Sequence, residues 1–274
     1  MKAFSRIYLV LIFLLLYAPI LVLIVFSFNE KGSFAAYTGF SFKWYRELFR
    51  DSTALQSLRN SLLLAISSAA IATVIGMFAA LGLDRMRLRW LKNSIKAVTN
   101  IPMMNPDIVT GVSMLLFFVA VGGILQKING NIDLIGFPSM LIAHVTFSLP
   151  YVILSILPRF RQLDPSLREA AMDLGCTPAQ SFFKVEFPHI LPGIVTGMIM
   201  AFTLSLDDFV ISHFVSSPDF VTLPLYIYNQ TAHRVKYSMY ALCTLIIFVM
   251  VIMLLLVNFV SGIGERGKRK KETV

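Results

Sequence analysis

Six stretches of this chain are long and apolar enough to cross a lipid bilayer: residues 7–28, 61–83, 98–125, 139–157, 190–215 and 240–263. A run of roughly 18 apolar residues spans ~30 Å of hydrocarbon as a helix, because a helix satisfies its backbone N–H and C=O groups within the segment itself. The runs therefore predict an all-α membrane protein with six transmembrane helices. Composition agrees: 57% of residues are hydrophobic, only 14% are charged and the mean hydropathy is +0.74. Soluble domains sit near half apolar and about a quarter charged. The third and fifth runs contain polar residues, so their ends are the least defined. The first is too long for the apolar core of a secretory leader and lacks a small-x-small cleavage site, so it reads as a retained span. Residues 1–274 then form a single transmembrane domain, with 158–189 as a long connection between the fourth and fifth predicted spans.

Lysine and arginine set the expected orientation. Sixteen of the 24 lie at the N-terminus, between the second and third runs, in 158–189 and in the tail; eight lie in the remaining connections. Both termini and residues 158–189 are thus expected on the cytoplasmic side. This asymmetry accounts for the net charge of +9 without invoking nucleic acid.

Little else in the chain suggests chemistry of its own. Cys176 and Cys243 lie in different environments and form no CxxC pair, and His144, His189, His213 and His233 show no metal-ligand spacing. Asn229–Thr231 is a formal glycosylation sequon, read as chance. Gly262–Arg269, "GIGERGKR", nearly spells a phosphate-binding loop. Arg269 stands where the magnesium-binding Ser or Thr is needed, and no strand precedes it. No nucleotide site is expected in this chain, so any ATP that drives it must bind another subunit.

Residues 158–189 are written like folded structure. Asp164-Pro165 is a helix start, with a capping acid followed by proline at the first helical position. Leu167, Ala170, Ala171 and Leu174 then fall at helical spacing, and Gly175 can adopt a left-handed C-cap. Thr177-Pro178 with Gln180 is a capping box that opens a second helix, bearing Phe182, Phe183, Val185 and Phe187 and ended by Pro188. An amphipathic helix of this kind can rest on lipid, but a face made largely of alanine suits close contact with another protein better.

Glu169-Ala170-Ala171, Gly175 and Val185-x-Phe187-Pro188 resemble the EAA motif of the membrane subunits of bacterial ABC importers, with Val for Ile and Phe for Leu. The resemblance implies a type I importer permease fold, MetI-like, in a bacterial inner membrane. It implies that Glu169, Ala170, Ala171, Asp173 and Gly175 form a helix docking into an ATP-binding subunit. Implied partners are a second, homologous permease, two ATP-binding cassette subunits carrying ATP and magnesium, and an external solute-binding protein; no cofactor is implied in this chain. Over nearly its full length the chain is also collinear with the second permease subunit of spermidine/putrescine importers, notably at Met103–Leu115, Phe202–Tyr228 and Phe42–Phe49. Iron, sulfate and opine importers share the EAA loop, so a different small solute stands as the alternative cargo.

The acids inside the spans fit a cationic cargo. Counted from Val98, Asp107 lies ~14 Å along the third run, near mid-membrane, where a charge usually faces a cavity or a partner. Pro102 and Pro106 break the backbone just before it. Asp207 and Asp208 point about 100° apart on a helix, so only one is expected to face a pathway. The pair can instead cap a helix or meet a base on a partner subunit. Asn105 is either a cap or a substrate contact. Trp44, Tyr45, Phe147 and Tyr151 supply aromatic faces suited to ammonium groups. Gly193-x-x-x-Gly197 is a small-residue packing face, within the subunit or across a dimer. Trp44, Tyr45, Leu48 and Phe49 form a short amphipathic element, expected at the membrane interface or against a solute-binding protein. Asn129-Gly130-Asn131 reads as a turn. Inverted repeats expected of a secondary transporter, a channel filter, and the HExxH or GxSxG of a hydrolase are all missing from the sequence.

Overall fold

The computed structural model describes residues 2–32, 36–129, 135–233 and 236–269, and these are helical apart from short connections. Among the described residues, five helices are long and apolar enough to cross a membrane, and a sixth apolar segment, Ser238–Ile252, opens a further long helix. The chain groups into two compact units.

The first unit comprises Met1–Leu58 and Tyr226–Ile252. Its opening helix α1 (Lys2–Ser27) is apolar all round, and none of its most hydrophobic window is buried against the rest of the chain. A helix of this kind needs lipid or a partner for its surface. A knot of polar bonds fixes its end. Ser27 Oγ lies 2.9 Å from the Tyr45 hydroxyl, and Asn29 Oδ1 accepts from the Thr38 N–H and hydroxyl at 2.8 and 2.7 Å. The indole of Trp44 donates to the Asn29 carbonyl. Trp44 and Leu48, on the short helix α2 (Lys43–Leu48), are buried within the chain. Both therefore differ from the expected interfacial residues: Tyr237 packs on Trp44 and takes up that surface, with ring centres 5.1 Å apart. Phe49 remains exposed.

The second unit comprises Arg59–Leu225 and Met253–Val274. Helix α3 (Ser52–Arg85) enters it, followed by α4 (Arg89–Met104), α5 (Asp107–Asn129) and α6 (Phe137–Gln162). Then come α7 (Pro165–Asp173), α8 (Pro178–Ser181), a π-helical turn (Phe182–Glu186), α9 (Phe187–Asp207) and α10 (Val210–Val215). The remaining helices are α11 (Leu223–His233) and α12 (Ser238–Arg269), each shared with the first unit. The core joins Ala69, Ala72 and Ala80 of α3 to Val152, Ile156 and Phe160 of α6 and to Ile190 and Ala201 of α9. Alanine and glycine let the helices close. A methyl on Gly193 would stand 2.8 Å from the Ser155 carbonyl, and one on Gly197 would stand 3.2 Å from Val152 Cα. The Gly193-x-x-x-Gly197 face thus packs within the chain, against α6.

Two expected single spans are broken. The stretch 98–125 divides at Asn105-Pro106, where Asn105 is extended (φ −77°, ψ 141°) as proline requires of the residue before it. Val98 belongs to the exposed amphipathic α4, so the depth of Asp107 counted from Val98 is corrected: Asp107 begins α5. The stretch 190–215 breaks at Asp208 (φ −66°, ψ 120°). Of the turn at Asn129-Gly130-Asn131, the last two residues lie outside the described residues.

Candidate functional site

Residues 158–189 fold locally as their chemistry dictates. Asp164 Oδ1 accepts the Ser166 N–H at 2.9 Å, and this bond holds the carboxyl below its ordinary range. The C-terminus of α7 is a Schellman closure: Cys176 N–H donates to the Ala171 carbonyl at 3.1 Å and Gly175 N–H to that of Met172 at 2.9 Å. Gly175 takes φ +84° there. Thr177 and Gln180 exchange both bonds of a capping box.

The second helix departs from expectation, because Pro188 does not end it. The backbone continues from Pro178 to Asp207 through the π turn, where Phe187 N–H bonds to the Phe182 carbonyl five residues back. The wider register accommodates a proline that lacks an N–H and would crowd the carbonyl four residues before it. The connection is therefore one free helix, α7, followed by the root of a long one. Glu169, Ala170, Asp173 and Gly175 are exposed, as are Leu167 and Leu174, the latter 87% exposed; Ala171 is buried. The predicted apolar face is thus split, with Ala171 turned inward and the rest left open.

A cavity of about 310 Å³ lies in the second unit at the two helix breaks. Asp107, Asp207 and Asp208 all line it, with Phe147 and Tyr151 from the middle of α6. Asn105 is not among its lining residues; it is the C-cap of α4, its N–H on the Ile101 carbonyl. Trp44 and Tyr45 belong to the first unit and do not line it. The adjacent acids diverge. Asp207 is exposed, whereas the Asp208 side chain is only 8% exposed and already engaged. Its oxygens accept the Ile211 and Ser212 N–H groups at 3.2 and 2.7 Å, which caps α10. The capping alternative therefore describes Asp208, and the free carboxylates facing the cavity are Asp107 and Asp207.

Two polar features escaped the sequence reading. His144, fully buried on α6, places Nδ1 2.7 Å from Ser205 Oγ on α9, and Nε2 3.2 Å from Ser212 Oγ and 3.5 Å from Asp208 Oδ2. Ser205 continues the chain to Ser68 of α3 at 3.0 Å. This network straddles the α9–α10 break and fixes its geometry. The second feature is an ion pair, Arg85 Nη2 to both oxygens of buried Glu186 at 3.0 and 3.1 Å. Neither could be read locally, since the partners lie 61 to 137 residues apart. A lone histidine in an apolar helix, costly to leave unpaired, was the available signal for the first.

Comparison with known proteins places the chain. Residues 72–266 match the family model of binding-protein-dependent transport system inner membrane components. The putrescine transport system permease protein PotI of Escherichia coli K12 is 40% identical over 235 residues, covering 86% of this chain and 82% of that protein. The spermidine/putrescine transport system permease protein PotC of Haemophilus influenzae is 39% identical over 232 residues, covering 85% and 86%. Among solved structures, a bacterial ABC transporter involved in import of the acidic polysaccharide alginate superposes with a TM-score of 0.74 at 17% identity, over 97% of this chain and 95% of that one. The inward-facing MetNI methionine ABC transporter gives 0.57 at 20% identity, over 84% and 98%. At such identities these structures speak for the fold, which is the all-helical importer fold expected from the sequence. The chain belongs to the inner-membrane components of binding-protein-dependent transport systems, as a multi-pass ABC-importer permease whose ATPase resides on another polypeptide.

Proposed function

We propose that this permease carries polyamines of the spermidine/putrescine class inward. Its relatives at 39–40% identity are named for those cargoes. The observation that carries the reading is the cavity at the helix breaks, where the exposed carboxylates of Asp107 and Asp207 stand with the rings of Phe147 and Tyr151. A polyamine is an apolar chain punctuated by ammonium groups. Carboxylates pair with the charges, and aromatic faces take both the methylenes and the cations. Because backbone N–H groups already occupy Asp208, it holds the break open and leaves Asp107 and Asp207 to receive cargo.

In this reading both termini and α7 face the cytoplasm. Glu169, Ala170, Asp173 and Gly175 dock on an ATP-binding cassette subunit, with Ala171 backing them from within. Two such subunits, carrying ATP and magnesium, work with a second homologous permease and a solute-binding protein that delivers cargo from outside. Closure of the ATPase pair moves α7, and the spans switch the cavity from inward- to outward-facing.

Uptake by the reconstituted complex, measured with labelled spermidine, putrescine, sulfate and ferric ion, tests the cargo. Transport of the polyamines alone is expected, and preferential uptake of an anion overturns it. Asp107→Asn is expected to slow polyamine uptake about ten-fold or more, the cost of losing one charge-assisted contact, while the complex assembles and hydrolyses ATP. Unchanged uptake kinetics would remove Asp107 from the pathway.

A further inference from the structure

Residues 158–189 contain four acids. Asp164, Glu169 and Asp173 are exposed, while Glu186 is buried. Docking on another protein gives no reason to bury a carboxylate. Glu186 closes the π turn, immediately before α9 begins, and both its oxygens are held by one nitrogen of Arg85, the last residue of α3. The docking helix α7 packs against the same turn. Phe182, at the other end of the turn, is buried in the core with Ala80 and Leu83 of α3 and Phe160 of α6. Docking helix, second span and fifth span thus meet around one ion pair.

Stability alone is a poor reason for such a pair, because a buried salt bridge generally holds less well than apolar packing of the same volume. A π turn is likewise an uncommon departure from the α register, and such turns concentrate at functional positions. Apolar packing lets surfaces slide, whereas a charge pair with two short bonds fixes which residue of one helix faces which residue of the other.

We propose that Arg85 and Glu186 are positioning residues for energy coupling: their pair locks the π turn to α3, so that movement imposed on α7 reaches α3 and α9 together. The proposal rests on α7 being the docking element.

The test uses the complete reconstituted complex and reads substrate taken up per ATP hydrolysed. Glu186→Gln is the mild variant, because it leaves a half-exposed arginine rather than a buried unpaired charge. It is expected to assemble and hydrolyse ATP, with uptake per ATP reduced about five-fold or more, the lower range of allosteric coupling. Arg85→Lys should retain most of the ratio, since a single nitrogen serves both oxygens and an ammonium can replace it. Arg85→Gln strands the buried carboxylate. Combining it with Glu186→Gln removes that burden, and the double variant should assemble yet remain uncoupled. Normal uptake per ATP in Glu186→Gln overturns the proposal. So does failure of that variant to assemble, or an equal fall in hydrolysis and uptake, because either marks a merely structural pin. A parallel Glu169→Ala variant separates the two readings. If it uncouples transport while Glu186→Gln does not, docking stands and the joint falls. If it stays coupled, the docking reading itself has failed.

Discussion

At the scale of single residues, one group of buried polar side chains in the second unit, centred on His144, holds a broken helix in shape. His144 binds across the break through Ser205 and Ser212, so replacing it leaves two serines and a carboxylate short of a partner. His144→Leu is expected to destabilise the protein by about 1–3 kcal/mol, seen as a lower thermal midpoint in detergent; an unchanged midpoint would mean that the network is dispensable. A second polar pair lies in the first unit, where Tyr226 donates to Asp51 Oδ2 at 3.0 Å and the Thr53 and Ala54 N–H groups bond to Oδ1. Burial, then the bond to Asp51, pushes the Tyr226 hydroxyl up to about 12. Burial alone would raise the Asp51 carboxyl, but the Ala54 and Thr53 N–H groups, the Tyr226 hydroxyl and the charge of Lys236 together outweigh it and bring it below its ordinary value of 3.8. Their contributions vanish at opposite ends of the scale. The part due to Asp51 is present above its unfolded value and lost as pH falls through the depressed one. The part due to Tyr226 is present below 10 and lost as pH rises toward 12. Tyr226→Phe should therefore flatten the alkaline limb of a stability–pH curve. The acids Asp107 and Asp207 were legible in the sequence because a charge inside an apolar run stands out. His144 was not singled out, because its meaning lies in partners contributed by other helices.

Among helices and turns, local chemistry was read well wherever it was decided locally. Asp164, Gly175 and the Thr177–Gln180 pair cap where the sequence says they should, since each cap is made within one or two turns of the chain. Pro188 was misread as a stop because the rule assumes an α register, and the π turn removes the missing hydrogen bond from the account. The break in the third run was legible in proline, although Pro106 alone makes it and Pro102 stays inside α4; the break in the fifth run at Asp208 carries no such mark, and hydropathy averaged over a window cannot feel it. Gly193 yields a prediction at this scale. Adding a methyl there meets the Ser155 carbonyl at 2.8 Å and Arg159 Cγ at 2.7 Å, so Gly193→Ala should force α6 and α9 apart and cost about 1–3 kcal/mol, measurable as reduced yield of folded protein in detergent. Gly175 is the opposite case: nothing crowds it, but φ +84° strains any other residue. Gly175→Val should unravel the end of α7 and lower uptake per ATP while the chain remains membrane-inserted, and normal coupled uptake would sink the docking role.

For the whole molecule, sidedness is open to direct measurement. Cys176 sits half-buried at the turn after α7, and Cys243 lies within the apolar opening of α12. A membrane-impermeant maleimide should label Cys176 in inside-out vesicles and not in right-side-out ones; the reverse pattern would invert the topology. The π turn has one more consequence. An α-helix advances about 100° per residue, so an extra residue accommodated in one turn works as a phase setting between the two ends of the helix. Wound as plain α-helix, the same residues would turn Glu169 by about 100° around the axis of α9; the π turn absorbs that step, so its two ends keep the phase of a helix one residue shorter. Deleting the exposed Phe183 or Lys184 should therefore let the stretch relax to ordinary winding without turning α7. The angular address of α7 thus survives a surplus residue because one turn, some ten positions away, swallows it.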